Sequence, residues 1–168
     1  MKKLFILITA LILFLSVSTV CAGLFGPPTA ECKLFSIEIP EEYSTTDGYN
    51  PSGEHGFYLG DWGNNDKPDR TLHMWEVTSP EDLNRSNTEQ IIETHEIDGI
   101  KIDKCYDYNE SVVVGNNIVK GSNYTHVEFD KDGHKYVIEN SFNGKYEDID
   151  LKKDIELVKQ VKDTIKHK

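Results

Sequence analysis

No Gly-x-Ser-x-Gly elbow, phosphate-cradling glycine loop or dinucleotide fingerprint occurs in the 168 residues. Nucleophilic and nucleotide chemistry therefore lack their usual scaffolds. The six histidines, His55, His73, His95, His126, His134 and His167, form no His-x-x-x-His helical pair and read as scattered. Positive charge is scarce: 18 Lys and Arg against 29 Asp and Glu leave a formal net charge of -11. Such a chain repels phosphate backbones and anionic lipid, which argues against a nucleic-acid partner and favours basic or cationic ones. The plainer role of so much acid is solubility.

One long apolar run is present, at the start. Met1-Lys2-Lys3 is basic, Leu4 to Leu15 is almost all Leu, Ile and Phe, and Ser16 to Ala22 is small and mildly polar. That is the layout of a secretory signal, with Val20-Cys21-Ala22 before Gly23 as the cleavage site. Two alternatives stand beside cleavage. Cys21 is a lipid-attachment point if the lipoprotein pathway reads it, and Leu4 to Ala22 is about long enough to remain as a membrane anchor. Membrane contact is expected only in those two cases. The organisation expected is a signal peptide over 1–22, a Gly- and Pro-containing spacer over 23–31, and a single domain over 32–168. Removing 1–22 moves the net charge from -11 to -13, because Lys2 and Lys3 leave and no acid does.

Cysteine is sparse as well, and only Cys32 and Cys105 remain after such a cut. In an exported chain that parity suggests one disulfide; two buried free thiols are the alternative. Three Asn-x-Ser/Thr tripeptides, at Asn84, Asn109 and Asn123, are candidate glycan acceptors.

The remaining chain alternates in the manner of strands. In "CKLFSIEIP", Phe35, Ile37 and Ile39 share one face, and Pro40 ends the run. Tyr43 to Gly56 reads as a long loop, and "GFYLGDWG" and "RTLHMWEVT" as strands split by a polar turn. In the second strand Leu72, Met74 and Glu76 oppose Thr71, His73, Trp75 and Val77. Ser79-Pro80-Glu81-Asp82 and Ser86-Asn87-Thr88-Glu89 both carry helix-start chemistry, so one broken helix or two short ones are expected between Asp82 and His95. Two short strands then precede "NYTHVEFDKDGHKYVIENSF". Taking Asp132-Gly133 as a two-residue turn pairs Phe129 with Tyr136 and Val127 with Ile138 on an apolar face, and Asp130 with Lys135 and His126 with Glu139 on the other. Asp148 to Lys166 has the period of an amphipathic helix and should lie on the Phe129 and Tyr136 face.

Three constellations carry chemistry. Glu128-x-Asp130-x-Asp132-Gly133 with Glu139 resembles a calcium loop, but its flanks alternate as strands and the hairpin register accounts for each residue. A second acidic loop holds Asp61, Asp66 and Asp69, for which turn chemistry is sufficient. Asp61, Asp66, Asp69, Asp130 and Asp132 are thus weak calcium candidates, and no other cofactor is indicated. Tyr49, Tyr58 and Trp62 offer a possible platform for stacking on sugar rings.

Together "FSIEIPEEY", the antiparallel strands, "YTHVEFDKDGHKYVIENSF" and "DIELVKQVKDTIK" resemble the PsbP-like proteins over Phe35 to Lys166. The resemblance implies a small exported α+β domain, an antiparallel sheet with a C-terminal helix and a short mid-chain helix packed on it as an α/β/α sandwich, and a role in binding or assembly rather than catalysis. It transfers no functional residue. The expected function is a non-catalytic binding or assembly module at the cell surface or outside the cell, with an unidentified protein or surface ligand as partner. A carbohydrate or cell-wall module and a hydrolase with a dispersed site are the alternatives.

Overall fold

The computed structural model describes residues 26–43, 50–51, 54–60, 70–114, 117–142 and 149–168. Ten strands and one α-helix are described, with every strand pair antiparallel. The strands are β1 (Thr29–Glu31), β2 (Phe35–Glu38), β3 (Asn50–Pro51), β4 (Gly56–Gly60), β5 (Arg70–Glu76), β6 (Glu89–Ile97), β7 (Ile100–Val114), β8 (Asn117–Lys131), β9 (His134–Phe142) and β10 (Lys166–His167). The helix α1 covers Leu151–Thr164. A small sheet has the order β1-β2-β10, and a seven-stranded sheet has the order β3-β4-β5-β9-β8-β7-β6. The fold is α+β.

Alternation dictates which side of the large sheet is covered. Phe57, Met74, Ile138, Val127 and Ile102 lie on one face and are buried against Phe35 and Ile37 of β2 and Ile155, Leu157, Val158 and Val161 of α1. Removing each such side chain from water stabilises by about 1.5–3 kcal/mol. The helix starts where Asp150 accepts from Lys152 N and Lys153 N, satisfying amides that have no partner within the first turn. It lies on the expected face, with Lys162 Nζ 5.5 Å from the Phe129 ring centre. Inside this core Asp154 accepts from Thr125 Oγ1 and Asn140 Nδ2, each at 2.8 Å.

The β8–β9 hairpin has the register read from the sequence, Phe129 facing Tyr136 and His126 facing Glu139. Its turn residues Asp132 and Gly133 take φ 53 and 85, as the favoured two-residue turn requires. Other expectations are corrected. The segment from Glu89 to His95 is not helical: it is β6, the outer strand on β7, with a bulge between Ile91 and Glu93. The mid-chain helix is reduced to a single 3-10 turn, Pro80–Leu83. Asp82 Oδ2 anchors that turn by accepting from Thr78 N at 2.7 Å and Ser79 N at 2.8 Å. The two short strands after Asp98-Gly99 are parts of longer ones, β7 and β8, each 15 residues. The last residues of the expected spacer form β1, because Ala30 is fully buried and Ile39 N donates to Pro28 O.

Strand order forces one further feature. Since β5 and β6 are separated by β9, β8 and β7, residues 77–88 must cross the second face of the sheet, about 19 Å at about 4.8 Å per strand. Trp75 Nε1 donates to Asp82 O at 3.1 Å beneath this strap.

Candidate functional site

The face opposite the helix carries one continuous rung of polar and aromatic side chains. Tyr58, His73, Glu139, His126, Asp103 and Thr94 stand directly opposite one another across β4, β5, β9, β8, β7 and β6. Glu139 is its centre. One oxygen lies 3.0 Å from His126 Nδ1 and the other 3.9 Å from His73 Nδ1. Burial works to raise the Glu139 carboxyl, but hydrogen bonding and charge from His126 and His73 prevail and hold it at about 2. The Tyr58 ring stacks on His73 at 3.9 Å and 11°, and His73 packs on Trp75 at 4.4 Å. His126 Nε2 is buried and makes no hydrogen bond among the described residues.

The strap closes the far end of the rung. Arg85 donates to Asp103 Oδ2 at 2.9 Å and to Cys105 Sγ at 2.8 Å, while Thr94 Oγ1 donates to Asp103 Oδ1 at 2.7 Å. Against the upward push of burial, the Thr94 bond and the charges of Lys101 and Arg85 hold the Asp103 carboxyl below the usual range. For Cys105 the balance is reversed: burial raises the thiol more than Arg85 lowers it. A protonated buried thiol is a poor nucleophile.

Beside the rung lies a cavity of about 170 Å³, lined by Tyr58, His73 and Glu139, by Tyr124 and Ser141 on the next rung, and by Glu89 and Asp107 at the β6–β7 end, with none of the described strap residues in its lining. Tyr124 is only 4% exposed, and the Cys105 thiol opposite it, a weak hydrogen-bonding group, meets its hydroxyl, which has no oxygen or nitrogen partner among the described residues. Burial raises the Tyr124 phenol most, followed by the neighbouring Cys105, Glu139 and Glu89. Burial also raises Glu89. Ser141 Oγ is directed at the Thr71 carbonyl, 3.4 Å away. The arrangement offers acceptors and a weakly partnered phenol to a polar molecule; it has no activated nucleophile among the contacts described. A scan against protein-family models finds no match, and no curated protein matches the chain.

The sequence-derived candidates are distributed differently. Tyr58 alone of the proposed sugar platform is in the cavity, 38% exposed; Tyr49 and Trp62 lie outside the described residues, as do Asp61, Asp66 and Asp69. Asp130 pairs with Lys135 at 3.7 Å and Asp132 with Lys131 at 3.8 Å, the contacts of a hairpin. The expected disulfide is replaced by two buried free thiols. The cause is strand alternation: Cys105 faces Arg85 on the strap side, whereas Cys32 belongs to the core on the helix side, with the sheet between them. Of the candidate glycan acceptors, Asn84 is exposed at the end of the 3-10 turn, Asn123 is half-buried within β8, and Asn109 lies in β7.

Four of the six histidines are gathered in two clusters. His73 and His126 converge on Glu139, and His134 stacks on His167 with ring centres 3.8 Å apart. The hairpin register gave the His126–Glu139 pair; His73 was hidden because nothing local says that β5 runs beside β9.

Proposed function

We propose that the chain is an exported, non-catalytic binding module that takes a small polar ligand in the cavity on the open face of the large sheet. The observation that carries the reading is the buried Tyr124 hydroxyl, met only by the weak Cys105 thiol among the described residues and set among Glu139, Glu89 and Asp107. A buried polar group left unpaired costs about 1–3 kcal/mol, which a ligand's hydrogen bond recovers. Three carboxyls and two tyrosine rings favour a molecule rich in N–H donors, a small amine in particular. The volume is below the range of about 300–1,000 Å³ that takes drug-sized ligands, so the ligand is a short amine or a single ring. The overall charge of -11 acts in the same direction. The leader-like N-terminus and the likeness to PsbP-like proteins support placement outside the cytoplasm and a binding or assembly role.

A second reading, a single sugar ring stacked on Tyr58, is favoured by that residue's exposure. NMR titration with a panel of small amines and monosaccharides separates the two. Shifts at Tyr124 and Glu139 with amines, weakened in Tyr124→Phe and Glu139→Gln, are expected. A panel in which neither class shifts these residues overturns the cavity as a binding site. N-terminal sequencing of protein from its host tests export separately, and an intact Met1-Lys2-Lys3 start there refutes removal of the leader.

A further inference from the structure

A second cluster sits on the opposite face, at the edge of the core. Glu76 ends β5, His134 opens β9 after the hairpin turn, and His167 is in β10 of the small sheet. Three separate elements converge on one carboxylate. Glu76 is only 6% exposed. Its Oε1 lies 2.8 Å from His134 Nδ1, and its Oε2 lies 3.3 Å from His167 Nε2. That second oxygen is buried without a hydrogen-bond partner among the described residues. The imidazoles stack at 3.8 Å and 23°, which brings a nitrogen of each to the same carboxylate.

Hydrogen bonding alone leaves this arrangement incomplete. His134 satisfies one oxygen, but His167 at 3.3 Å does not satisfy the other. Protonating both rings places two cations face to face, which is unfavourable. One ion resolves both defects, because neutral imidazoles then direct lone pairs, and Glu76 its free oxygen, at a shared centre. The three donor atoms all lie within 4.8 Å of one another. Ligands on a tetrahedral zinc, with bonds of about 2.0–2.2 Å, stand about 3.3 Å apart, so small side-chain rotations suffice.

We propose that Glu76, His134 and His167 bind a single first-row divalent transition ion, with zinc as the reference. Two nitrogens and one oxygen suit zinc, cobalt, nickel or copper; calcium and magnesium require more oxygen donors. The site is therefore distinct in chemistry from the acidic loops. The His134 and His167 side chains are each about a third exposed, at 36% and 34%, so the ion enters from the histidine side and keeps a coordination position open to water. Binding would tie β10, β5 and β9 together, joining the small sheet to the large one. The inference is independent of the cavity on the strap side.

The test is calorimetric titration of zinc into the full chain after chelator treatment, with circular dichroism to confirm folding. One equivalent per chain is expected. His167→Ala, at an exposed position, should weaken binding at least about tenfold, and His134→Ala with His167→Ala should abolish it. Glu76→Gln should behave like His167→Ala; if it fails to fold, the histidine variants decide. His95→Ala, an exposed histidine elsewhere, should bind as the parent does. Cobalt should give the absorption of a low-coordinate nitrogen and oxygen site, lost in the double variant. Affinity should fall as pH is lowered toward 5, since protons compete for imidazole. No zinc uptake by the parent chain, or equal uptake by parent and double variant, overturns the proposal.

Discussion

Replacing Glu139 with Gln removes the charge at the centre of the open-face rung while keeping its volume. The carboxyl is held at about 2 against an ordinary 4.5, so the folded state binds its proton less readily than the unfolded chain. For a depressed carboxyl the stabilisation is complete above the unfolded value and is lost as pH falls through the folded one. The difference of about 2.5 units corresponds to about 3 kcal/mol. Glu139 retains 23% side-chain exposure, and the screening this allows makes that figure an upper value. Urea midpoints measured from pH 6 to below pH 2 should show the parent losing up to about 3 kcal/mol more than Glu139→Gln, roughly 10 °C in Tm for a domain of this size. The difference between the two curves isolates Glu139 from the many other acids. Parallel curves between pH 4.5 and 2 would refute the argument that His126 and His73 hold this carboxylate ionised.

Asp154 provides the opposite sign. Burial raises its carboxyl, so its contribution should decline as pH rises out of the ordinary carboxylate range, and Asp154→Asn should abolish that decline in the same urea experiment. Asp154→Leu strands the Thr125 hydroxyl and the Asn140 amide and should cost roughly 2–6 kcal/mol at about 1–3 per orphaned group; a neutral Leu variant would contradict this. Gly121 has φ +89, and a Cβ there would stand 1.8 Å from Tyr106 Oη, so Gly121→Ala should lose more than about 2 kcal/mol. Gly133→Ala, with a left-handed backbone but open space, should lose only about 1 kcal/mol; equal costs would refute the close approach. Alkylation of the denatured chain without reductant should label both Cys32 and Cys105, and a cross-linked peptide containing the two would refute the free thiols.

Legibility in the sequence followed range. The β8–β9 hairpin was readable because its two strands are consecutive and the Asp-Gly turn fixes their register. The amphipathic helix was readable from its period, and so was the face it covers. The segment from Ser86 was misread although its local chemistry is present: Ser86 N donates to Glu89 Oε2 at 3.0 Å, as in a helix start. The following Ile91, Ile92 and Thr94 are β-branched, and the free edge of β7 captures them as a strand. Beyond the His126–Glu139 pair, neither cluster was visible, for a related reason. His73 meets Glu139 through the β5–β9 pairing, and His167 meets Glu76 through β10, contacts that no local spacing encodes.

The strap over 77–88 has a topological consequence. Among the described residues it is the one covalent link between a portion supplying β1 to β5 and a portion supplying β6 to β10 with α1. The two portions are interleaved, since β5 is zipped to β9 over seven residue pairs and β10 completes the sheet begun by β1 and β2. A protease that cuts the backbone near the exposed Asn84 should therefore produce a nicked protein whose fragments co-elute on a sizing column, parting only in denaturant. Each half of the severed strap stays docked on its own portion, Asp82 through Trp75 and Arg85 through Asp103 and Cys105, so cohesion resides in the interleaved strands rather than in this connection.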